Sequence, residues 1–448
     1  MPGAAAEMAL SSGEPHHINH RTSRFVKGTM EHKPANVAGS GLMAILMHPL
    51  NVLLVTFPLG ILSHMLNWGQ ICTFWFNFCA LVPLAKILGD ATEELAAGLK
   101  NDMLAGLLNA TFGNAVEMVI MLQTLRAGYV DVVKATLLGS VLSNLLLVLG
   151  MSFFFGGIMS NGKKKIVIEA PVQHSQRKSI QRLGSQIVQS PEAESYTEFI
   201  GEKVQTFSVM SALVNTSMLL LSCLSFSLVT VFASQTTEDG NAVLETVLLP
   251  VSRTCSIIIM IAYAAYIFFQ LVTHREAMAE DDGGEEGGGD DEEPALSIPT
   301  AVLVMLVVTC VVAFSSELLV SSLDEVVEHM GINKHFIGII LLPIVGNACE
   351  HASAIRFAIM DKCGLSIGIA VGSSTQMSLF VVPFSVLCGW FIGQDMDLNF
   401  GSLNTTVMSI SVVVVLSVVV DGTANWLQGY LLMSAYFVVA VLYWHLPN

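Results

Sequence analysis

Charged side chains are scarce in this sequence of 448 residues. Asp, Glu, Lys and Arg together make up 12% of it, whereas apolar residues make up 53% and the mean hydropathy is +0.65. Such a composition excludes an ordinary soluble globular protein. Basic residues are outnumbered by acidic ones, and the formal net charge is −16, so we expect no nucleic-acid partner.

Motifs typical of several other protein classes are also missing. The eight cysteines lie in or beside apolar runs and none forms a CxxC pair, which predicts neither a disulfide framework nor a zinc site. The first apolar run begins only near Leu50, so we expect no cleaved signal peptide. The apolar runs contain no HExxH or GxSxG sequence, which argues against an intramembrane enzyme, and we expect no cofactor.

Long apolar runs dominate the rest of the sequence. They are continuous and lack the alternation of barrel strands, so they predict helices that cross a lipid bilayer. The eleven runs are 50–67, 70–89, 100–125, 130–157, 206–233, 245–272, 296–322, 336–360, 364–390, 402–420 and 424–445. The predicted fold is an all-α polytopic membrane protein with about eleven transmembrane helices.

Two of these runs carry a carboxylate near their middle. The third contains Gly113-Asn114-Ala115-Val116-Glu117 and the eighth contains Gly346-Asn347-Ala348-Cys349-Glu350. A carboxylate at that depth costs at least ~2.5 kcal/mol, so it is expected only where it is neutralised, paired or used.

The two motifs belong to an internal duplication. A shift of 233 positions superimposes them, and the same shift places Gly139-Ser140 on Gly372-Ser373. Five crossings separate the third and eighth runs, so the two copies should point in opposite directions, as in inverted-repeat transporters. The predicted organisation is a mobile cytosolic terminus 1–49, an extra transmembrane helix 50–69, a first five-helix repeat 70–279 with a cytosolic loop 157–205, an acidic linker 280–295 and a second five-helix repeat 296–448.

Basic residues predict the orientation. They concentrate in the terminus before the first run and in the loop after the fourth, which an even number of crossings places on one side. The positive-inside rule makes that side the cytosol, and the C-terminus then faces the lumen or exterior.

Acidic residues also cluster, most densely in Glu280–Glu293, which holds nine carboxylates and no base. This segment is either a solvated hinge or a collector of divalent cations, and it lacks the EF-hand pattern. Smaller groups are expected at the two mouths, where they either attract cations or simply end helices in water. These acids are Asp90, Glu93, Glu94 and Asp102 on the cytosolic side and Asp324, Glu325 and Glu328 on the other.

The repeated motif has the chemistry of a cation site. In a helix, Glu117 shares a face with Gly113 and Asn114, and Glu350 shares one with Gly346 and Asn347. Glycine exposes backbone carbonyls, and carboxylate, amide and carbonyl oxygens are the ligands of Ca²⁺. Two carboxylates balance one divalent cation, but without it they cannot both stay charged and should take up protons. The same two groups therefore hold a divalent cation or protons, which is the requirement for exchange.

Neighbouring polar residues have more than one interpretation. Ser143 and Gln376 are matched by the repeat and could bind the cation, hold it through water, orient the glutamates, or only join helices. His351 is either a neutral core histidine or a participant in proton movement. Pro343 is expected to kink the eighth run just before its motif.

Several segments resemble one family. GNAVE, GNACEHASA, GSVLSNLLLVLG, GSSTQMSLFVVP and the DMDLNF that ends at Phe400 are similar to the vacuolar-type cation/proton exchangers of the calcium/cation antiporter superfamily. The resemblance implies that Glu117 and Glu350 are shared sites for cation and proton, with Asn114, Asn347 and Gln376 nearby. It also implies transport of cytosolic Ca²⁺ into an acidic, vacuole-like store, with Mn²⁺ or other divalent cations carried by some members. The loop 157–205 is longer than a compact exchanger needs, and the terminus 1–49 matches no feature of the family.

Two other transport functions remain as alternatives. Sodium-coupled exchangers of the same superfamily favour a more polar motif with a hydroxyl pair and proline before the acid. Asn-Ala-x-Glu stands here instead, which favours protons. A passive cation channel needs no inverted repeat and would conduct without a pH gradient.

Overall fold

A computed structural model describes residues 37–99, 101–159, 204–235, 244–275 and 295–447. Most of the predicted terminus, nearly all of the loop 157–205 and the acidic segment Glu280–Glu293 lie outside these residues. The predicted domain boundaries therefore stay predictions.

The described chain is almost entirely helical. The first part comprises α1 Val37–Leu46, a 3₁₀ turn Pro49–Val55, α2 Thr56–Met65, α3 Gln70–Gly98, α4 Asp102–Phe112, α5 Ala115–Arg126, α6 Val130–Leu142, a π turn Ser143–Val148 and α7 Leu149–Met159. It continues with β1 Gln205–Thr206, α8 Val209–Gln235, a π turn Leu244–Leu248, α9 Leu249–Phe268 and a π turn Phe269–Thr273. The rest comprises α10 Ile298–Ser321, α11 Leu323–Met330, α12 Lys334–Phe336, a π turn Ile337–Leu341, α13 Leu342–Gly346, α14 Ala348–Ile359, α15 Cys363–Gln376, a π turn Met377–Val381, α16 Val382–Ile392, α17 Ser402–Val419, β2 Thr423–Ala424 and α18 Trp426–Trp444.

Nine helical segments in the described residues are long and apolar enough to cross a membrane. Lys334–Gly346 and Ala348–Ile359 are bent by 58° where they meet, and they form a tenth span if they are counted together. The first predicted run is a shorter apolar stretch, Pro49–Met65. The fold is thus the predicted helical, polytopic one, and the count of eleven spans stays a prediction.

Several elements of the two halves match at the offset of 233. The helices α5 and α14 begin at Ala115 and Ala348, and α7 and α16 begin at Leu149 and Val382. The π turns that precede α7 and α16 end at positions matched by this offset, Val148 and Val381. The motif asparagines Asn114 and Asn347 are the N-cap residues of α5 and α14, so each motif glutamate lies in the first turn of its helix.

A polar cluster joins α5 to the start of the bent span. The Tyr129 hydroxyl, just beyond α5, donates to Asp324 over 2.6 Å, and Lys334 pairs with the same carboxylate at 2.7 Å. Hydrogen bonds from Lys334 and Tyr129 lower the pKa of Asp324, and the bond to Asp324 raises the pKa of Tyr129 to about 12. Because the end of α5 meets the beginning of the span that contains α14, these two helices run in opposite directions.

The opposite end of the described chain carries a short strand pair that the sequence does not predict. β1 and β2 are antiparallel, with Gln205 opposite Ala424. The Gln205 side chain donates to the Ala358 carbonyl over 2.7 Å and to the Asp361 carboxylate over 2.9 Å. The strand after the loop is therefore anchored to the end of α14.

Two apolar clusters form the core. One joins α6, α7 and α8 to α15–α18, and the other joins α3, α5 and α10 to α13. A buried ion pair borders the first cluster: Lys134 of α6 contacts Asp397 at 2.8 Å and the Asn399 carbonyl at 3.0 Å, with side-chain exposures of 12% and 7% for the charged partners.

This ion pair leads to the first prediction. Lys134→Met leaves the Asp397 carboxylate buried without its partner, and we expect a destabilisation of about 3 kcal/mol. Thermal unfolding of the purified protein in detergent measures the loss. Adding Asp397→Leu to the same protein removes the unpaired charge and should recover most of the stability. Equal stability of Lys134→Met and the unmodified protein would show that the pair contributes nothing.

Candidate functional site

A cavity of about 520 Å³ lies between the two halves. Both motif glutamates, Glu117 and Glu350, line it, together with both motif glycines and Gln376. Five of the predicted site residues thus share one cavity, although they come from α4, α5, α13, α14 and α15. The helix is broken between α4 and α5 and again between α13 and α14. At each break a glycine lies at the end of the first helix, and the glutamate lies in the first turn of the second.

The two carboxyl groups have oxygens available for a ligand. Glu117 is only 4% exposed, and its Oε1 is buried with no hydrogen-bond partner among the described residues. Glu350 has an Oε2 in the same condition. Both carboxyl groups line the same cavity, and the Glu117 carboxyl lies against Gly346, one helical turn before Glu350. Buried oxygens of this kind are costly unless a cation or proton satisfies them.

Gly346 is the residue that lets these groups approach. A Cβ atom built there would lie 3.0 Å from Oε1 of Glu117, which is tighter than an ordinary van der Waals contact, so the carboxyl would have to shift. The glycine of the second motif therefore makes room for the carboxyl of the first. This contact is a physical reason for glycine in the motif that does not depend on backbone conformation.

The motif asparagines are buried and do not line the cavity. Ser373 donates to Oδ1 of Asn114 over 3.0 Å, and Ser140 donates to Oδ1 of Asn347 over 2.8 Å. Ser140 and Ser373 are matched by the offset of 233, so the two bonds are equivalent and each joins one half to the other. Direct ligation of the cation by Asn114 and Asn347 stays a prediction.

Gln376 and Ser143 occupy matched positions but have different surroundings. Gln376 accepts a bond of 2.5 Å from the Asn114 amide and donates to the Asn109 and Ala110 carbonyls. Ser143 does not line the cavity, and its hydroxyl is buried beside that of Tyr436. Gln376 thus orients the first motif in this conformation, and the ligand role predicted for Ser143 stays a prediction.

His351 is held by its own helix. Its Nδ1 donates to the Asn347 carbonyl over 2.7 Å, and its Nε2 is buried with no partner in the described chain. The ring does not line the cavity. This contact is the one expected of a core histidine, and the predicted part in proton coupling stays a prediction.

The cavity also contains residues that the sequence does not mark as part of the site. Glu93 of α3 lines it, although this residue was expected only at the mouth. Tyr263 and Tyr266 of α9 form another part of the wall. No group of three or more His, Cys, Asp or Glu side chains in the described residues is arranged to hold a metal ion. A bound cation would therefore need amide, carbonyl or water oxygens besides the two glutamates.

A helical membrane protein with paired, unsatisfied carboxyl groups in a central cavity has the structure of a secondary ion transporter. The family model described as "Sodium/calcium exchanger protein" matches residues 69–272 and 300–444, and the chain belongs to this family.

Relatives in distant organisms cover nearly the whole chain. A Ca²⁺/H⁺ antiporter of Synechocystis is 37% identical in an alignment of 410 positions that covers 89% of this chain and 97% of the relative. Vacuolar cation/proton exchanger 2 of Oryza sativa is 38% identical, over 89% of this chain and 82% of its own length. The vacuolar calcium ion transporter of Schizosaccharomyces pombe is 32% identical, over 92% of this chain and 89% of its own length.

Solved structures show the same fold. Native YfkE is 30% identical and superimposes with a TM-score of 0.67 over 89% of this chain and 100% of its own. Selenium-substituted YfkE, described as a Ca²⁺/H⁺ antiporter protein, gives a TM-score of 0.65 at the same identity, over 89% of this chain and 99% of its own.

Proposed function

We propose that the protein is an antiporter that moves Ca²⁺ out of the cytosol in exchange for protons. The observation that carries the proposal is the pair Glu117 and Glu350, which line one cavity from opposite halves with buried oxygens that lack partners. Relatives named Ca²⁺/H⁺ antiporter and vacuolar cation/proton exchanger support it.

Charge balance explains why the cation and the protons alternate. Two ionised carboxylates neutralise one Ca²⁺, so the loaded cavity carries no net charge. When the cation leaves, the carboxylates repel each other in a medium of low dielectric constant, and protons replace it. An empty, fully ionised site is therefore the state of highest energy, and movement across the membrane without either cargo is suppressed.

The arrangement of the halves supports alternating access. The helices α5 and α14 begin at matched positions and run in opposite directions, as an inverted repeat requires. The cavity extends past Ser211 and Gly364, where α8 and α15 begin, to Gln270 after α9. The positive-inside rule assigns this end to the cytosol, so the conformation described here is open to the cytosol.

The membrane is proposed from the relatives. Several are named as vacuolar, which favours an acidic store whose proton gradient drives uptake. In that membrane the N-terminal side is cytosolic and the C-terminal side luminal. Mn²⁺ is a further candidate cargo, since it takes the same oxygen ligands as Ca²⁺.

Calcium uptake into liposomes that contain the purified protein tests the proposal. We expect uptake when the interior is acidic, and loss of uptake when a proton ionophore collapses the gradient. A sodium gradient at equal pH on both sides should drive none. Uptake driven by sodium would indicate the sodium-coupled alternative, and flux that persists without either gradient would indicate a channel.

A further inference from the structure

The carbonyl of Ala110 is held by side chains at the end of α4. In an unbroken helix it would accept a bond from the amide of Asn114. Instead, the Tyr263 hydroxyl of α9 donates to it over 3.1 Å, and the Gln376 amide of α15 also donates to it. At the other break, the matched carbonyl of Pro343 keeps the helical bond, from the Asn347 amide over 2.9 Å. The two breaks are therefore in different states within one structure.

A second tyrosine lies in an equivalent place without such a bond. Tyr436 of α18 faces Ser143, which is matched to Gln376 by the offset of 233. Tyr436 is only 2% exposed; its hydroxyl faces that of Ser143, and in the described residues it makes no hydrogen bond to a backbone carbonyl. Tyr263, in comparison, lines the open cavity and lies within reach of Gln376.

The helices that present these tyrosines pack crosswise. α9, the last span before the acidic segment, packs on the π turn Met377–Val381 of the other half. α18, the last span of the described chain, packs on the matched π turn Ser143–Val148. Each half thus presents a tyrosine to the same position of its counterpart, and in the described residues only the tyrosine on the open side is bonded to the end of a broken helix.

We propose that Tyr263 and Tyr436 are a reciprocal pair of positioning residues, each of which stabilises the state in which the cavity opens on its own side. The inference rests on the proposed antiport. In the cytosol-facing state Tyr263 holds the carbonyl at the end of α4, and Tyr436 makes no such bond. In the lumen-facing state the roles are exchanged, and Tyr436 holds the matched carbonyl of Pro343. Because each bond to a freed carbonyl exists in one state only, each tyrosine favours the state in which it makes that bond.

Removal of the two hydroxyl groups should have opposite effects. Tyr263→Phe removes a bond made in the cytosol-facing state and shifts the protein toward the lumen-facing one. Tyr436→Phe removes a bond made in the lumen-facing state and shifts the protein toward the cytosol-facing one. Apparent affinity falls with the population of the competent state, so the ratio of cytosolic to luminal KM for Ca²⁺ should rise about fivefold in Tyr263→Phe and fall by a similar factor in Tyr436→Phe. The double variant should return close to the unmodified ratio.

The ratio is measured in vesicles from a host without Ca²⁺ uptake of its own, in which all copies share one orientation. Uptake at varied external Ca²⁺ gives the cytosolic KM, and release from loaded vesicles under a reversed proton gradient gives the luminal KM. Tyr443→Phe is the matched control, because Tyr443 lies on the same helix, is fully buried and donates to Asn404 over 2.6 Å away from the cavity. That variant should leave the ratio unchanged even where it lowers the amount of protein.

If the tyrosines had only a structural role, their replacement would change the amount of protein or the maximal rate of transport. It would not change the ratio of cytosolic to luminal KM. The inference is overturned if both variants shift the ratio in the same direction, or if neither shifts it while transport continues. Each single variant has its own expected direction, so one that fails to reach the membrane leaves the other as the test. If the unmodified protein shows no proton-driven uptake, the proposed function fails first, and this inference fails with it.

Discussion

Glu350→Gln should reduce proton-driven Ca²⁺ uptake by more than about 100-fold, and Glu117→Gln should do the same. Each change removes one of the two negative charges that balance the cation and leaves a neutral amide that cannot carry a proton. Loss of one partner of a buried charge pair costs about 3 kcal/mol or more, which corresponds to a factor above about 100. Uptake of radioactive calcium into acidic liposomes, normalised to the amount of protein, measures the effect.

A second measurement separates loss of exchange from loss of folding. Protons released per Ca²⁺ taken up can be followed in weakly buffered vesicles, and both variants should release none. Glu317→Gln is the matched control, because Glu317 is an exposed acid on the span α10 that does not line the cavity. It should transport normally. Substantial uptake by either Glu117→Gln or Glu350→Gln would refute the shared-site mechanism.

Gly346→Ala should lower the rate of Ca²⁺ uptake about tenfold without unfolding the protein. The new methyl group would stand 3.0 Å from Oε1 of Glu117, so either the carboxyl or the end of α13 must move. Overpacking of this size costs about 1–3 kcal/mol, and here the displaced group is the one that binds the cargo. Initial rates of uptake and the apparent KM for Ca²⁺ measure the change, and we expect the KM to rise.

The cavity offers a matched control for this glycine. Gly372 also lines it, but a Cβ atom built there meets no atom within 4 Å. Gly372→Ala should therefore keep nearly full activity. Equal losses in the two variants would mean that helix flexibility, rather than room for the Glu117 carboxyl, explains the glycine.

Hydropathy was sufficient to predict most of the architecture. The run predicted at 100–125 corresponds to the span Met103–Arg126, and the run at 206–233 to Val209–Gln235. The membrane requires continuous helices, so composition and length alone determine these segments. The π turns and the pair β1–β2 were not predicted, because they depend on packing between distant helices rather than on local periodicity. The bend at Asn347 was foreseen only as a kink at Pro343.

The sequence predicted the residues that line the cavity only where the internal repeat marks them. Glu117, Glu350 and their glycines stand out because they occur twice in register within apolar runs, and the structure places all four on one cavity. Tyr263 carries no such signal, because an aromatic residue in an apolar helix is ordinary. The serine partners of Asn114 and Asn347 were also hidden, since each comes from the opposite half.

Those asparagine–serine bonds limit how the molecule can move. They connect the halves beside the motif glutamates, and both asparagines are buried and do not line the cavity. The halves therefore cannot separate sideways at that level without leaving four polar groups unsatisfied. The two bonds therefore act as a fixed axis between the halves. Each access route has to open by tilting of the helix ends about this axis, so the cation moves only a short distance while the surrounding helices change position.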